Sequence, residues 1–362
     1  MKSLGIIGCG NISDIYLKNL HHAENCQVVM VADQIDERAR AKAEQYGIQS
    51  KSVEDLLADQ DVFAVINLTI PEAHHSVAAK ALLAGKHVYG EKPLALSSRS
   101  ARELIELSQK VDLRIASAPD TVLGAGIQTA RKLIDDGWIG RPVAATAFMT
   151  GHGHEGWHPD PTFYYQAGGG PLFDMGPYYL SALFQLLGPV ARVTGIASQA
   201  FAERIVLSQP RRGEHIVVNT PTHVAGSLEF AAGAVASLVM SFDVWHANLP
   251  RIEVYGSEGS LSVPDPNTFG GPVRIRRFDA AEWTEMAMPF SPSDNARGLG
   301  VIDLVDAIAQ GTMARTDGTI GLHVVEIMEA LLESSRQGKH QDILSRPTRP
   351  PAMELSGRDL PR

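Results

Sequence analysis

Residues 5–13 read GIIGCGNIS, and this stretch decides the fold class. The apolar run 4–8 predicts a buried strand, and residues 11–21 predict a helix directly after it. Gly8 permits the tight turn between them, and Gly10, which lacks a Cβ, lets the backbone approach a pyrophosphate at the helix N-terminus. The pattern predicts a dinucleotide-binding turn, with Ser13 in place of the usual third glycine. The expected cofactor contacts here are Gly8, Gly10, Asn11 and Ile12.

A carboxylate at the end of the second predicted strand indicates which dinucleotide is bound. Asp33 follows the glycine turn at the position where a side chain can accept hydrogen bonds from both ribose hydroxyls. The same carboxylate repels a 2′-phosphate, so NAD is the predicted cofactor. NADP stays an alternative because Gln34 and Arg38 follow, and the alternative role for Asp33 is a helix N-cap.

Strand-like and helix-like segments alternate through the first third of the chain, which predicts parallel strands joined by right-handed crossovers. After about residue 120 the segments become extended runs joined by glycine turns, such as residues 231–233, which favour antiparallel hairpins. We therefore predict an α/β protein with two domains. The first is a doubly wound Rossmann domain over residues 1–120. The second is an α+β domain over 121–362, with an open, mainly antiparallel sheet; its Pro-rich end, 346–362, is expected to be loosely packed.

Composition narrows the classes of function. The net charge is -9 and no long run of Lys or Arg occurs, so nucleic acid is not an expected partner. No apolar stretch reaches the ~20 residues of a membrane span, and the N-terminus does not read as a secretion signal. A cytoplasmic location is therefore expected. Cys9 and Cys26 form neither a metal-binding spacing nor a disulfide framework, and both are expected to stay reduced.

A Glu-Lys-Pro motif follows a short strand-like run in residues 86–94, which read KHVYGEKPL. Pro93 fixes the backbone and removes a donor, so Lys92 can be directed into a cleft. The carboxyl end of a parallel strand is where open α/β sheets bind ligands. The motif therefore favours a functional lysine over the alternative, a solvated one.

These motifs together resemble the Gfo/Idh/MocA family, the relatives of glucose–fructose oxidoreductase and inositol dehydrogenase. The matching stretches are GIIGCGNIS at 5–13, NLTIPEAHHSVAAKALLAGKHVYGEKPLA at 67–95, GGGPLFDMGPYYL at 168–180 and YGSEGSLSV at 255–263. The resemblance implies a Rossmann domain and then an α+β domain whose sheet often forms an oligomer interface, so a homodimer or homotetramer is expected. It implies further that Thr69, Pro71 and His74 border the cofactor, and that Glu91 and Lys92 face its nicotinamide end.

Asp174 and Tyr178 are four residues apart and share one face of a helix that already includes Asp174. Pro177 between them fits only in the first turn of that helix. Many family members carry a histidine in place of Tyr178, but the glucose–fructose oxidoreductase and dimeric dihydrodiol dehydrogenase branches resemble this chain in having tyrosine. Oxidation of an alcohol needs a group that takes up a proton near the nicotinamide.

We therefore predict that Tyr178 is the acid/base. Lys92 is expected to orient the substrate hydroxyl and to lower the pKa of Tyr178. Asp174 is expected to hold the substrate or the lysine. The alternatives are a core aromatic for Tyr178 and a helix cap for Asp174.

A histidine-rich loop follows, with residues 151–159 reading GHGHEGWHP. Imidazoles, a carboxylate and an indole can hydrogen-bond to a sugar ring and stack on it, so we expect substrate contacts from His154, Trp157 and His158. The spacing differs from a helical His-Glu-x-x-His zinc motif, and no metal is expected. A surface loop without a ligand is the alternative. Asp120, near the predicted cleft, is a further expected substrate contact.

The leading interpretation is an NAD(H)-dependent oxidoreductase that transfers a hydride to or from a hydroxyl or carbonyl carbon of a sugar, polyol or related carbohydrate. Two alternatives stay open. A glycoside-cleaving enzyme that retains its NAD would show glycosidase activity without net NADH release. A non-catalytic NAD(H)-sensing regulatory protein would bind NADH and turn over no sugar.

Overall fold

The structure, a computed structural model, describes residues 1–354; residues 355–362, part of the tail predicted to be loosely packed, lie outside it. Its first unit is a six-stranded parallel sheet with strand order β3-β2-β1-β4-β5-β6. This is the doubly wound order of dinucleotide-binding domains, with a crevice where the order reverses between β1 and β4. The strands are β1 (Lys2–Ile7), β2 (Cys26–Ala32), β3 (Gln49–Ser50), β4 (Val62–Asn67), β5 (His87–Gly90) and β6 (Ile115–Ser117).

Helices cover both faces of this sheet, and each face has its own apolar cluster. Parallel strands are buried on both sides, which explains the continuous apolar runs of β1 and β4. Ser52 caps the third helix by accepting the Asp55 backbone N–H at 3.0 Å. The helices are α1 (Ser13–Leu20), α2 (Asp36–Tyr46), α3 (Val53–Ala58), α4 (Pro71–Leu83) and α5 (Ser98–Lys110).

The second unit is a nine-stranded sheet. After a 3₁₀ turn at Asp120–Leu123, the chain forms α6 (Ala125–Asp135) and, after another 3₁₀ turn at Thr162–Tyr165, α7 (Gly170–Leu187). The strands are β7 (Pro142–Thr150), β8 (Val190–Ser198), β9 (Glu203–Ile205), β10 (His215–Val217), β11 (His223–Phe230), β12 (Val235–Ser241), β13 (Ile252–Gly256), β14 (Gly259–Val263), β15 (Arg274–Arg277), β16 (Thr284–Glu285) and β17 (Gln341–Asp342). The β9–β10 pair forms a separate ribbon, and the order of the large sheet is β16-β15-β14-β13-β7-β12-β11-β8-β17.

The large sheet is mainly antiparallel, as predicted, with a parallel pairing of β7 and β12. Its strands alternate between buried and accessible residues, because α6, α7 and a later helix cover one face. Among residues 1–354 nothing covers the other face, which carries apolar side chains such as Ile196, 73% exposed.

The last two helices, α8 (Leu299–Gln310) and α9 (Gly318–Gln337), link the two units. Val301, Leu304 and Val305 of α8 belong to the apolar cluster of the first sheet, and α9 packs against both α5 and β8. The division of the chain near residue 120 stays a prediction, because residues after it also help to bury the first sheet. Within residues 1–354 no helix is long and apolar enough to cross a membrane.

Candidate active site

The glycine turn lies between β1 and α1, as predicted. Gly8 has φ +104°, and a Cβ there would lie 2.5 Å from the carbonyl carbon of Leu68, so only glycine fits. A Cβ on Gly10, in contrast, would meet no protein atom within 4 Å. Space beside a backbone at the start of a helix is what a pyrophosphate requires. Asn11 is exposed and Ile12 half-buried at this same helix start.

Asp33 lies beside the glycine turn. Its Oδ2 accepts the backbone N–H of Cys9 at 2.7 Å, and its Oδ1 accepts that of Ile35 at 2.9 Å. Each carboxylate oxygen still has a free lone pair for a ribose hydroxyl. The Cys9 thiol is buried, and burial raises its pKa to about 12, so Cys9 is not a reactive thiol at neutral pH.

Thr69 and Pro71 follow β4 at the edge of the crevice, where the family resemblance implied cofactor contacts. His74 differs from that expectation, because its side chain is only 2% exposed. Its Nδ1 lies 2.7 Å from the Pro93 carbonyl oxygen and its Nε2 3.0 Å from that of Thr69. His74 therefore connects the turn after β4 to the turn after β5, and it does not border the crevice directly.

The Glu-Lys-Pro motif directly follows β5, at the carboxyl edge of the sheet. The Lys92–Pro93 peptide bond is cis. Glu91 is fixed from two sides: its Oε2 accepts the Lys92 backbone N–H at 3.0 Å, and its Oε1 accepts the hydroxyl of Tyr16 at 2.8 Å. Tyr16, on α1, is fully buried. The motif is therefore held against the helix that begins at the glycine turn.

Lys92 meets α7 of the second unit. Its Nζ donates to the carbonyl oxygen of Asp174 at 2.6 Å and to Oδ1 of the same residue at 2.9 Å. The other carboxylate oxygen lies 2.9 Å from Nε2 of His154. Burial opposes ionisation of Asp174, but Lys92 and His154 outweigh it and lower the carboxyl pKa to about 2. Asp174 is thus a carboxylate between two side chains that donate hydrogen bonds to it.

Burial also disfavours the Lys92 ammonium, yet the charge and hydrogen bond of Asp174 and the charge of Glu91 more than compensate and raise the pKa of Lys92. The lysine is therefore charged at every physiological pH. An ammonium has three N–H donors, and the carbonyl and carboxylate of Asp174 occupy two of them. One donor remains available for a substrate oxygen.

Tyr178 lies on the same face of α7 as Asp174, and the Lys92 Nζ is 5.1 Å from the centre of its ring. Lys92 lowers the pKa of Tyr178, as predicted, but the net shift is upward. Burial raises the pKa of Tyr178, and the cations of Lys92 and Arg297 offset only part of that effect. Tyr178 therefore carries its proton at neutral pH. The expectation for Pro177 is also wrong, because α7 begins at Gly170 and Pro177 lies inside the helix.

The histidine-rich loop contacts this cluster through His154. The His154 ring lies 3.9 Å from the ring of Tyr164 and 5.2 Å from that of Trp157, measured between centres. His154 was predicted to bind substrate, but its Nε2 is directed to Asp174. Trp157 is 63% exposed, and His158 packs beside it with a ring separation of 5.3 Å.

Asp120 does not line the cleft in the way the sequence suggested. It is 1% exposed, and its Oδ2 accepts the backbone N–H groups of Gly298 and Gly300 at 2.8 and 3.2 Å. It therefore caps the start of α8, and burial raises its pKa to about 6. Among residues 1–354, no group of three or more His, Cys, Asp or Glu side chains is arranged to hold a metal ion.

Two residues near the catalytic candidates, Arg297 and Tyr16, were not predicted from the sequence. Arg297, in the loop before α8, interacts with the Tyr178 phenol and donates to Oδ1 of Asn267 at 2.8 Å. Tyr16 supports Glu91. The loop around Arg297 contains no motif, and Tyr16 reads as an ordinary apolar position of α1, so neither carried a usable signal.

Comparison with known proteins agrees with this arrangement. Residues 2–118 match the model of an oxidoreductase family with an NAD-binding Rossmann fold, and residues 127–262 match the GFO/IDH/MocA C-terminal domain. The chain is 30% identical over 302 residues to a 1,5-anhydro-D-fructose reductase of Ensifer adhaerens, covering 81% of this chain and 84% of that protein. This chain belongs to the Gfo/Idh/MocA family of oxidoreductases.

Two further proteins are similar to this chain over most of its length. A myo-inositol 2-dehydrogenase of Thermotoga maritima is 25% identical over 260 residues, covering 71% of this chain and 74% of that protein. The structure of a levoglucosan dehydrogenase in complex with NADH and L-sorbose superposes with a TM-score of 0.81 at 21% identity, covering 95% of this chain and 99% of that one. This structural likeness shows the fold. The family membership confirms the predicted fold class, the oxidoreductase class and NAD as cofactor.

Proposed function

We propose that this member of the Gfo/Idh/MocA family transfers a hydride reversibly between NAD(H) and the hydroxyl-bearing carbon of a sugar or polyol. The observation that carries the proposal is the meeting of Lys92 from the first unit with Asp174 and Tyr178 from the second, beside the crevice of a dinucleotide-binding sheet. The names of the relatives, a reductase of anhydrofructose and a dehydrogenase of myo-inositol, support this substrate class.

The residues around the crevice fit NAD. The space at Gly10 and the start of α1 would receive the pyrophosphate, and Asp33 would bind the ribose hydroxyls and exclude a 2′-phosphate. Thr69, Pro71 and Glu91 would complete the crevice towards Lys92. The bound nicotinamide accepts or supplies the hydride.

Tyr178 exchanges the proton in this proposal. In the reductive direction its O–H donates a proton to the substrate carbonyl oxygen while the carbonyl carbon gains the hydride, and water then reprotonates the phenolate. In the oxidative direction the phenolate takes the proton of the substrate hydroxyl. Because burial raises the pKa of Tyr178, the reductive direction is favoured at neutral pH and the oxidative one gains as the pH rises.

Lys92 and Asp174 prepare the oxygen for this exchange. The third N–H of the Lys92 ammonium donates to the substrate oxygen and stabilises the charge that develops on it or on the phenolate. Asp174 keeps the ammonium charged and holds it in one position through two hydrogen bonds. Trp157 and His158 would contact the remainder of the sugar.

The decisive experiment is a panel of sugars, polyols and lactones with NAD(H) and NADP(H), followed by the absorbance of the reduced cofactor. Lys92→Ala should bind NADH with unchanged affinity and lose turnover by about 10²–10⁴-fold, whereas Lys80→Ala on the exposed side of α4 should be fully active. Near-normal turnover of Lys92→Ala would refute the assignment. Binding of NADH without turnover of any panel member would favour a sensing protein.

We also propose that the uncovered face of the large sheet joins two or more copies of the chain. Its accessible apolar side chains, Ile196 and Val235, support an interface there. Ile196→Glu should lower the molar mass measured by light scattering. An unchanged mass, or a wild-type monomer at micromolar concentration, would contradict the proposal.

A further inference from the structure

Arg204, in the small β9–β10 ribbon, is a buried cation outside the catalytic cluster. It is 5% exposed, and its Nη1 lies 3.2 Å from Oε1 of Glu155 while its Nη2 pairs with Oδ1 of Asp243. Both carboxylate side chains are also buried. Removing three ionised groups from water costs several kcal/mol for each ion unless they are closely paired. Arg204 therefore links the two loops that carry these carboxylates.

Further hydrogen bonds fix the same two loops. The Val244 backbone N–H donates to the Gly151 carbonyl oxygen at 3.0 Å, and Oδ2 of Asp243 accepts the hydroxyl of Thr222 at 2.7 Å. The carbonyl oxygen of Glu155 accepts two backbone N–H groups, from Leu207 and Ser208, at 2.9 and 3.0 Å. Neither loop belongs to a sheet, so these hydrogen bonds are additional to those that pair the strands.

Each clamped carboxylate is followed two positions later by an exposed tryptophan. Trp157 follows Glu155 and is 63% exposed; Trp245 follows Asp243 and is 69% exposed. The Trp245 indole stacks on the His152 ring at 3.4 Å between centres, with 15° between the planes. Tryptophan is usually well buried, and large exposed aromatic surfaces mark binding sites. A buried ion-pair clamp thus holds two indoles at the surface.

Trp157 adjoins the proposed catalytic cluster, and Trp245 is connected to the loop that carries Trp157. The ring of Trp157 lies 5.2 Å from that of His154, and Nε2 of His154 lies 2.9 Å from Asp174. Trp245 contacts the loop that carries Trp157 by stacking on His152, and Nε2 of His152 lies 3.4 Å from Nη1 of Arg204. Trp157 therefore lies next to the proposed catalytic cluster, and Trp245 lies on the other loop held by Arg204.

We propose that Trp157 and Trp245 form a ring-stacking subsite, and that the substrate is a sugar joined by an intact glycosidic bond to a second ring. The flat C–H face of a pyranose, or an aryl group, matches an indole face in shape and polarity. A free monosaccharide beside Lys92 would reach Trp157 and leave the Trp245 indole exposed to water. This inference rests on the proposed function and specifies its substrate class.

The test compares free hexoses with their disaccharides and their 4-nitrophenyl glycosides as substrates, measured as kcat/KM with NAD. The second ring should raise kcat/KM at least tenfold for one series. Trp245→Ala should remove most of that advantage, so that the ratio of glycoside to free sugar falls about tenfold. Trp138→Ala is the matched control, because this indole is 42% exposed near the opposite end of β7 and should leave the ratio unchanged.

The outcomes separate this inference from the proposed function. Turnover of free hexoses with no advantage for any glycoside, or an unchanged ratio in Trp245→Ala, would overturn the subsite alone. A loss of molar mass in Trp245→Ala at an unchanged ratio would assign the indoles to a subunit interface and also overturn it. Absence of turnover for every compound would overturn the proposed function and the subsite together. Preference for the disaccharides over the nitrophenyl glycosides, or the reverse, identifies the second ring.

Discussion

Replacing Asp174 by asparagine should destabilise the fold measurably, because this carboxylate is the counter-charge of a buried ammonium. The carboxyl pKa is lowered from 3.8 to about 2, which corresponds to about 2–3 kcal/mol of folding free energy at pH 7. Since the folded-state pKa lies below the unfolded one, this stabilisation is complete above about pH 4 and is lost as the pH falls towards 2. The neutral amide forfeits it and leaves Lys92 without its closest anion.

Urea unfolding at pH 7, followed by tryptophan fluorescence, should therefore give a free energy of unfolding for Asp174→Asn about 2–3 kcal/mol below that of the native protein. Asp36→Asn is the control. Asp36 pairs with Arg40 on the surface of α2, with both side chains about 70% exposed, so its loss should change the free energy by less than about 0.5 kcal/mol. If Asp174→Asn were as stable as the control, Asp174 would not be the counter-ion of Lys92.

Four other variants or conditions test separate parts of the account. Gly8→Ala should fail to fold or to bind NADH, because its Cβ meets the Leu68 backbone. Gly10→Ala should keep the native melting temperature and weaken NADH binding in calorimetry, because its Cβ meets no protein atom. Equal melting temperatures and equal NADH affinities of the two variants would contradict these assignments. Sugar oxidation should accelerate as the pH rises from 7 to 10 while ketone reduction stays level, since burial raises the pKa of Tyr178 and the phenol keeps its proton over this range. Tyr178→Phe should lose this acceleration along with about 10²–10⁴-fold in turnover; retention of most activity would transfer the role to a histidine. Asp33→Asn should raise the ratio of NADP to NAD in kcat/KM about tenfold, and an unchanged ratio would show that the repulsion lies elsewhere. His154→Ala should lower kcat about tenfold and leave the NADH affinity unchanged. His154→Gln should restore part of the lost kcat, because its side chain can donate a hydrogen bond to Asp174 as His154 does. Equal losses of kcat in the two variants would indicate a purely structural histidine.

The fold could be predicted from the sequence because the motifs and periodic patterns that specify it are local. The strand, glycine turn and helix of residues 4–20 specify their conformation within a few residues, and the alternation of strands and helices specifies the parallel sheet. The contact of Lys92 with Asp174, which joins residues 82 positions apart, is one of the two roles that were expected for Asp174. That prediction depended on two recognisable motifs rather than on periodicity.

Side-chain environments were harder to predict from the sequence, because they depend on contacts between distant segments. The direction of the Tyr178 pKa reversed because burial exceeds the effect of two nearby cations, and burial of one side chain is not readable from spacing. Asp120 and His74 were placed in the right region, but each is bonded to backbone groups rather than directed into the crevice. The role of Arg297 arises only when the loop before α8 packs over α7.

The most direct test of the central claim is a crystal structure of the chain with NADH bound. We expect a pyrophosphate at the backbone of Gly10 and a nicotinamide ring whose reactive face opens onto the Lys92 ammonium and the Tyr178 hydroxyl. A nicotinamide bound with both groups behind it or out of reach of its reactive carbon would contradict the account.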